Sequence, residues 1–422
     1  MNYHNKDTQV FPGFSEFMPP EDSSWEFTNA DTQYLTHGLF PYPARMIPQI
    51  AARLISLYWP TKSQIPGPIM DVFCGSGTVL VEASLRGIPS IGTDINPFAV
   101  MLSLAKTTCF DQSAYILAKQ QLQRQIQSFT GEEVKEMVPT FDNLYHWFKP
   151  NVVAQLSYLR CLIDKINDKD VQRIFKTIFA HAVMKCSNVN WKSSRYIRVF
   201  SEAKIANHNP DAFLVFQGMM GAFERKLTAY CKKKKTDTLA KQEDARSLTI
   251  PNNHINLIIT SPPYGEERNT VPYIRWSKLF LLWLGFSQKD IKQLETITLG
   301  GDSTRLLSTA DIPSDTFWQT VSGVTHQRLN EAIAFMIDYM HSLREMYRIL
   351  QSSGKACIVI GHRSISRKLL DMGKVTKELA ETLGFIHETT YLRCIPKKMI
   401  PWTGPTGETI AQESIVILSK ES

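Results

Sequence analysis

The sequence has no uninterrupted apolar run near the roughly 20 residues that a membrane-spanning helix needs. Its first residues, MNYHNKDTQV, are polar and lack the basic-then-apolar order of a secretory leader. The expectation is a cytoplasmic protein with no membrane partner. The seven cysteines include no Cys-x-x-Cys pair and are odd in number. That argues against a full disulfide framework and against a cysteine-ligated metal, so no metal is expected. Neither sign of charge dominates, since 47 Lys and Arg against 40 Asp and Glu leave +7. Such a balance permits a polyanionic partner without requiring one. No internal repeat or low-complexity tract interrupts the chain.

What is present is ordinary globular material, 43% hydrophobic and 21% charged, in a chain of 422 residues long enough for two domains. Residues 1–33 are polar and turn-rich and read as an N-terminal arm. The segment 43–59 has Met46, Ile50, Leu54, Leu57 and Tyr58 at helical spacing. IMDVF (69–73) reads as a short buried strand, followed by CGSGT and a helix over 79–87. PSIGTDIN (89–96) gives a second strand ending in an acid, and 97–107 a second helix. Strand, glycine turn, helix, strand is the opening of a doubly wound, Rossmann-like α/β sheet. Strand signals fade over 107–239, which reads as a mainly helical insertion. They resume in INLIITS (255–261), GKACIVIG (354–361) and ESIVILSK (413–420), with a Met- and Leu-rich helix over 331–350.

In DVFCGSGT, Gly75 and Gly77 let the backbone approach a ligand closely, because glycine accepts positive φ and has no Cβ. The lysine of a phosphate-binding loop is missing, since Gly77 is followed by Thr-Val-Leu. The third glycine of a dinucleotide turn is also missing, its place being taken by Leu80. The turn thus suits a nucleoside-like ligand without a polyphosphate. Asp94, 17 residues after Gly77, stands where an acid accepts hydrogen bonds from ribose hydroxyls. Asp71 also reads as a strand-end acid capping the turn.

DVFCGSGT, GTDIN, DARSL (244–248) and TSPPY (260–264) in this order resemble the S-adenosylmethionine-dependent DNA amino-methyltransferases, TSPPY most resembling the N4-cytosine type. The likeness covers 34–106 and 240–420. It implies a catalytic domain over 34–106 and 240–422; 107–239 lies outside the likeness, and its length and helical pattern make it the expected DNA target-recognition region. It further implies S-adenosylmethionine as cofactor, its methionine part wrapped by Asp71, Phe73, Gly75, Ser76, Gly77 and Thr78. Asp94, with Ile95 and Asn96, would hold the ribose, and Asp244, with Ala245, the adenine. THGLFPYPARMIPQIAARLI (36–55) resembles the segment that closes over the methionine end, which brings in His37 and Pro43.

Ser-Pro-Pro-Tyr then has a chemical reading beside the bland one of a strand-ending turn. An exocyclic base amine is a poor nucleophile, because its lone pair is delocalised into the ring. Ser261 Oγ and the carbonyl of Pro262 can accept both N–H bonds and turn that lone pair toward an electrophilic methyl group. Pro262 and Pro263 stiffen the claw, and Tyr264 can stack on a base taken out of the duplex. Ser in place of Asp or Asn favours cytosine N4 over adenine N6. C5-cytosine chemistry would need a cysteine next to a proline, and none of the seven follows one.

Double-stranded DNA is the expected partner. Lys192, Arg195 and Arg198 in WKSSRYIR, Arg268 and Tyr273 after the claw, and Lys397 and Lys398 in CIPKKMIPWTG are its candidate contacts. The run RKLTAYCKKKK (225–235) is a further basic stretch with six cations and no acid. A restriction endonuclease acting on the same site without a stable complex is a possible functional partner. An adenine-N6 enzyme, an RNA amino-methyltransferase and a non-catalytic nucleic-acid-binding protein remain as alternatives. The oligomeric state is not legible.

Overall fold

The structure, a computed structural model, describes residues 24–60, 67–134, 136–191, 199–265, 270–304, 312–366, 368–395 and 412–421. Nine strands fall within them: β1 (Ile69–Asp71), β2 (Ser90–Asp94), β3 (Thr238–Gln242), β4 (Ile255–Thr260), β5 (Leu350–Gly361), β6 (Arg363–Ile365), β7 (Lys368–Leu370), β8 (Phe385–Cys394) and β9 (Gln412–Lys420). Seven of these form one sheet in the order β3-β2-β1-β4-β5-β9-β8, and β6 and β7 pair separately. The first five are mutually parallel, while β9 enters antiparallel between β5 and β8. The α/β, doubly wound architecture expected from the sequence is therefore present.

Strand composition follows from burial on both faces. Every residue of β1 and of β4 is buried. Alternate side chains then supply two cores. Ile69, Leu257, Ile259, Cys357, Val359, Ile415 and Ile417 pack under the helices Pro48–Tyr58 and Thr78–Leu85. Met70, Ile258, Ala356, Ile358, Val416 and Leu418 pack under His326–Ile349 and Met372–Thr382.

A third apolar cluster joins the helices Gln112–Gln127, Pro150–Asp164, Lys169–Cys186 and Ala212–Lys233 to Pro97–Thr107 and Tyr273–Trp283. The helical segment thus shares its core with elements that flank the sheet. Cys109 and Cys231 are disulfide-bonded across this region, with Cα atoms 5.5 Å apart.

The chain leaves β1 toward β2 on one side, while β4 pairs with β1 on the other. This reversal of strand order opens a crevice at the strands' carboxyl ends, where α/β sheets bind ligands. Among the described residues no helix is long and apolar enough to cross a membrane.

Candidate active site

The crevice holds a cavity lined by the glycine turn, the ends of β2 and β4, the loop after β3 and the segment around Tyr42. Of the residues expected to meet a cofactor, Pro43, Asp71, Phe73, Gly75, Ser76, Thr78, Asp94, Ile95, Asn96, Asp244 and Ala245 line it. So do Ser261, Pro263 and Tyr273. Apart from Pro43 and Tyr273, these residues are brought together because each stands at the carboxyl end of a strand or shortly beyond it.

The turn is held from three sides. Gly75 has φ +49° and Gly77 φ +79°, conformations that favour glycine. A Cβ on Gly77 would come within 3.0 Å of Ser103 Cα, so its absence lets the helix Pro97–Thr107 close on the turn. Ser103 Oγ donates to the Gly75 carbonyl at 2.8 Å. Asp94 accepts from the Gly75 amide at 2.9 Å and from the Asn96 amide at 2.8 Å. Burial pushes Asp94 up to about 6 in spite of those two donors. Thr260 at the end of β4 donates to Asp71 at 2.7 Å, and the Phe73 amide bonds both. Burial raises Asp71 to about 7, opposed by Thr260 and Phe73 and aided by the nearby charge of Asp94.

Asn96 caps the helix that follows it, its side chain accepting from the Phe98 amide at 3.0 Å. Its amide nitrogen donates to Ser277 Oγ at 2.8 Å and to the Tyr42 hydroxyl at 3.4 Å. Tyr42 stacks on Tyr273, with ring centroids 6.0 Å apart, so two aromatic rings stand together on the cavity wall. The Asp244 carboxylate lies against the Arg246 guanidinium at 2.5 Å, and Arg246 also reaches Asp338 at 2.9 Å. A ligand amine that meets Asp244 therefore shares it with that cation.

His37 is placed elsewhere than expected, because a buried carboxylate claims it. It is fully buried, off the cavity lining, and its Nε2 bonds Glu82 at 2.7 Å. Tyr34 and Arg86 bond the same carboxylate at 2.5 and 2.6 Å. Burial alone would raise Glu82, yet Arg86, His37 and Tyr34 outweigh it and hold it at about 2. Burial lowers His37 against the pull of the Glu82 carboxylate, to which its Nε2 donates. Its role is to anchor the 34–47 segment on the helix Thr78–Leu85.

Tyr264 also departs from the stacking expected of it. Its ring packs against the core under β4 and β5, and it does not line the cavity. Its hydroxyl donates to Glu413 at 2.8 Å. Pro262 is buried behind the claw, and Gly77 lies behind the turn.

Lys192, Arg195, Arg198, Arg268, Lys397 and Lys398 lie outside the described residues. In the run 225–235, Lys226 donates to the Gln33 carbonyl at 2.9 Å and Lys234 pairs with Asp237 at 2.6 Å, so part of that charge has structural work. No cluster of His, Cys, Asp or Glu suited to a metal occurs among the described residues. Tyr42, Thr260, Ser103 and Glu413 were not singled out in the sequence. Thr260 stands within TSPPY and Tyr42 within the stretch 36–55, yet neither was given a role there, and only the fold places the four at the site.

No family model matches the chain. It is similar over its full length to the Type II methyltransferase M.MvaI of Kocuria varians, at 28% identity and with 97% of that protein covered. A shorter stretch of 75 residues is 36% identical to the Type II methyltransferase M.MjaII of Methanocaldococcus jannaschii, spanning 18% of this chain and 13% of that one. Among solved structures, a SAM-dependent methyltransferase from Methanosarcina mazei aligns over 87% of this chain and 97% of its own. Its identity is 10% and its TM-score 0.31, a level that carries no argument.

Proposed function

We propose that the protein is a site-specific DNA methyltransferase of a restriction–modification system. In this reading it moves a methyl group from S-adenosylmethionine to the exocyclic N4 amine of a cytosine turned out of double-stranded DNA. One observation carries the reading: the glycine turn after β1, the carboxylate that ends β2 and Ser261 and Pro263 just after β4 line one cavity. The full-length likeness to a Type II methyltransferase supports it.

The cavity fits the cofactor on its own chemistry. Ser76 Oγ is buried and has no hydrogen-bond partner, although its residue lines the cavity. A buried hydroxyl left this way costs about 1–3 kcal/mol, which a polar ligand group beside it would recover. The nearest atom to the place of the missing Cβ of Gly75 is the edge of Tyr42, 3.5 Å away, so the backbone there is open to close approach. Asp94 would accept from the ribose hydroxyls. Asp71, Phe73, Ser76 and Thr78 would surround the methionine part, and Ile95, Asp244 and Ala245 the adenine. Gly77, Asn96 and Pro43 would shape the same cradle. The cofactor supplies a methyl group on a positively charged sulfur.

The chain's own residues do the rest. Ser261 Oγ and the Pro262 carbonyl accept the two N–H bonds of the target amine and free its lone pair. The two prolines hold these acceptors in place before the reaction, so little reorganisation is needed. Tyr273 lies on the cavity wall where it can steady the flipped base. Lys192, Arg195, Arg198, Arg268, Lys397 and Lys398 are assigned to the DNA backbone, and the helices between 112 and 233 to reading the site. A restriction endonuclease would act on the same sequence without a stable complex.

Adenine N6 is the second reading, since an acceptor claw of this kind serves either amine and only Ser261 favours cytosine. The test is to incubate the protein and S-adenosylmethionine with unmethylated bacterial DNA, digest to nucleosides and analyse by mass spectrometry. N4-methylcytosine is expected. N6-methyladenine would overturn the choice of base, and no methylated nucleoside would overturn the reading as a whole.

A further inference from the structure

At the Asp244 end of the cavity one arginine ties three pieces of chain together, and the reaction as described does not use it. Three N–H groups of Arg246 bond the Asp244 carboxylate. The backbone amide and Nε reach Oδ1, each at 2.9 Å, and Nη2 reaches Oδ2 at 2.5 Å. Nη2 also donates to the Ile297 carbonyl at 2.8 Å, and Nη1 pairs with Asp338 Oδ1 at 2.9 Å. The other oxygen of Asp338 accepts from the Gly300 amide at 2.8 Å. Asp338 is buried on the helix His326–Ile349 and lies off the cavity lining, whereas Asp244, Ile297, Thr298 and Leu299 belong to it. One remote carboxylate thus grips the wall 297–300 twice, directly at Gly300 and through Arg246 at Ile297.

A carboxylate has about four acceptor sites. Arg246 occupies three of them on Asp244, so one remains, and the rigid fork of the guanidinium fixes where it points. An amine hydrogen can fill that site. A carbonyl in the same place would set oxygen against oxygen. The fork keeps its aim because Asp338 holds Nη1 from behind. Without that carboxylate the guanidinium can turn on its flexible stem, and the open site on Asp244 turns with it.

We propose that Asp338, acting through Arg246, is a positioning residue that aims Asp244 at the 6-amino group of a purine, so that the site selects an adenine nucleoside over its deaminated form. The inference rests on the placing of the cofactor's adenine beside Asp244, and it deepens that reading. It assigns the selection to a side chain that never meets the ligand.

The test compares two ligands by calorimetric titration. One is S-adenosylhomocysteine, which methyl transfer leaves behind. The other is S-inosylhomocysteine, its counterpart with a carbonyl in place of the adenine amine. The wild type should bind the first at least about tenfold more tightly, on the scale of one hydrogen bond to a charged group. Asp338→Ala should shrink that ratio to about threefold or less, chiefly by weakening the adenosyl ligand. Asp244→Asn should lose the preference too, and adding Asp338→Ala to it should change the ratio no further, because both act on one contact. A change that merely loosened the fold would weaken both ligands alike and leave the ratio standing. An unchanged ratio in Asp338→Ala, or a further fall in the double variant, overturns the inference alone. If Asp338→Ala does not accumulate as folded protein, Arg246→Lys decides instead. A lysine keeps the charge but cannot hold Asp244, Ile297 and Asp338 at once, so a wild-type ratio there refutes the inference. A wild type that binds neither ligand overturns the reading of the cavity as the cofactor site. One that binds both equally overturns the placing of adenine at Asp244, and either result takes this inference with it.

Discussion

Asp71 and Asp94, two buried acids of the cavity, have opposite consequences for stability and for binding. Burial raises Asp71 to about 7 and Asp94 to about 6, so the folded protein holds protons that the unfolded chain would release. Stability from this source is fully present below the unfolded carboxylate range and is lost as pH rises through the folded values. The ligand-free protein should therefore melt at a higher temperature as pH falls from about 8 toward about 5, and Asp71→Asn should flatten that trend. Cofactor affinity should move the other way. An ionised Asp94 is the better acceptor for ribose hydroxyls, so calorimetric titration should show binding weaken as pH drops through about 6. These residues were legible because each closes a recognisable strand. His37 and Tyr264 were placed wrongly from sequence, because the partners that claim them, Glu82 and Glu413, stand 45 and 149 positions away. No local pattern announces such a pairing.

At the scale of elements, the turn and the helix after it depend on two details that sequence pattern shows unequally. Gly77 reads as special in the motif, and the structure gives the reason in its positive φ and in Ser103. Gly77→Ala should cost about 1–3 kcal/mol in denaturant unfolding and weaken the cofactor, since strain and the displaced helix Pro97–Thr107 both act on the turn. Glu82 reads as an unremarkable helix position, yet it is fully buried and gathers Tyr34, His37 and Arg86. Glu82→Ala strands those three donors and should destabilise by about 3–5 kcal/mol. Loss of the 34–47 anchor should then appear as faster proteolysis before Pro48. Besides the short separate pair β6 and β7, the strands missed in the sequence, β3 and β8, are the two edges of the seven-stranded sheet. Edge strands are half exposed and carry polar residues, here Lys241 and Gln242 in one and His387, Glu388 and Arg393 in the other, so their apolar signal is weak. The central strands β1, β4 and β9 were legible because burial on both faces writes them as apolar runs.

At the scale of the whole molecule, the helices between 112 and 233 read in sequence as an insertion, and they share one apolar core with Pro97–Thr107 and Tyr273–Trp283. Nothing in local composition tells a separate module from a face of the same body; only packing does. Deleting 112–233 should therefore leave insoluble protein rather than a smaller active enzyme. Exchanging the segment for a relative's, with the contacting side chains matched, should keep methyl transfer and change the site methylated. The central claim is a division of labour within one cavity, with the cofactor held by the β1–β2 side and the amine by the claw after β4. It is tested most directly by measuring S-adenosylmethionine Kd and the methyl-transfer rate side by side for Ser261→Ala and Asp94→Ala. The account predicts that Ser261→Ala keeps a near-normal Kd while its rate falls by about 100-fold or more, as when a fixed transition-state contact is removed. Asp94→Ala should instead bind the cofactor at least about tenfold more weakly. Equal loss of cofactor binding in both variants would contradict it.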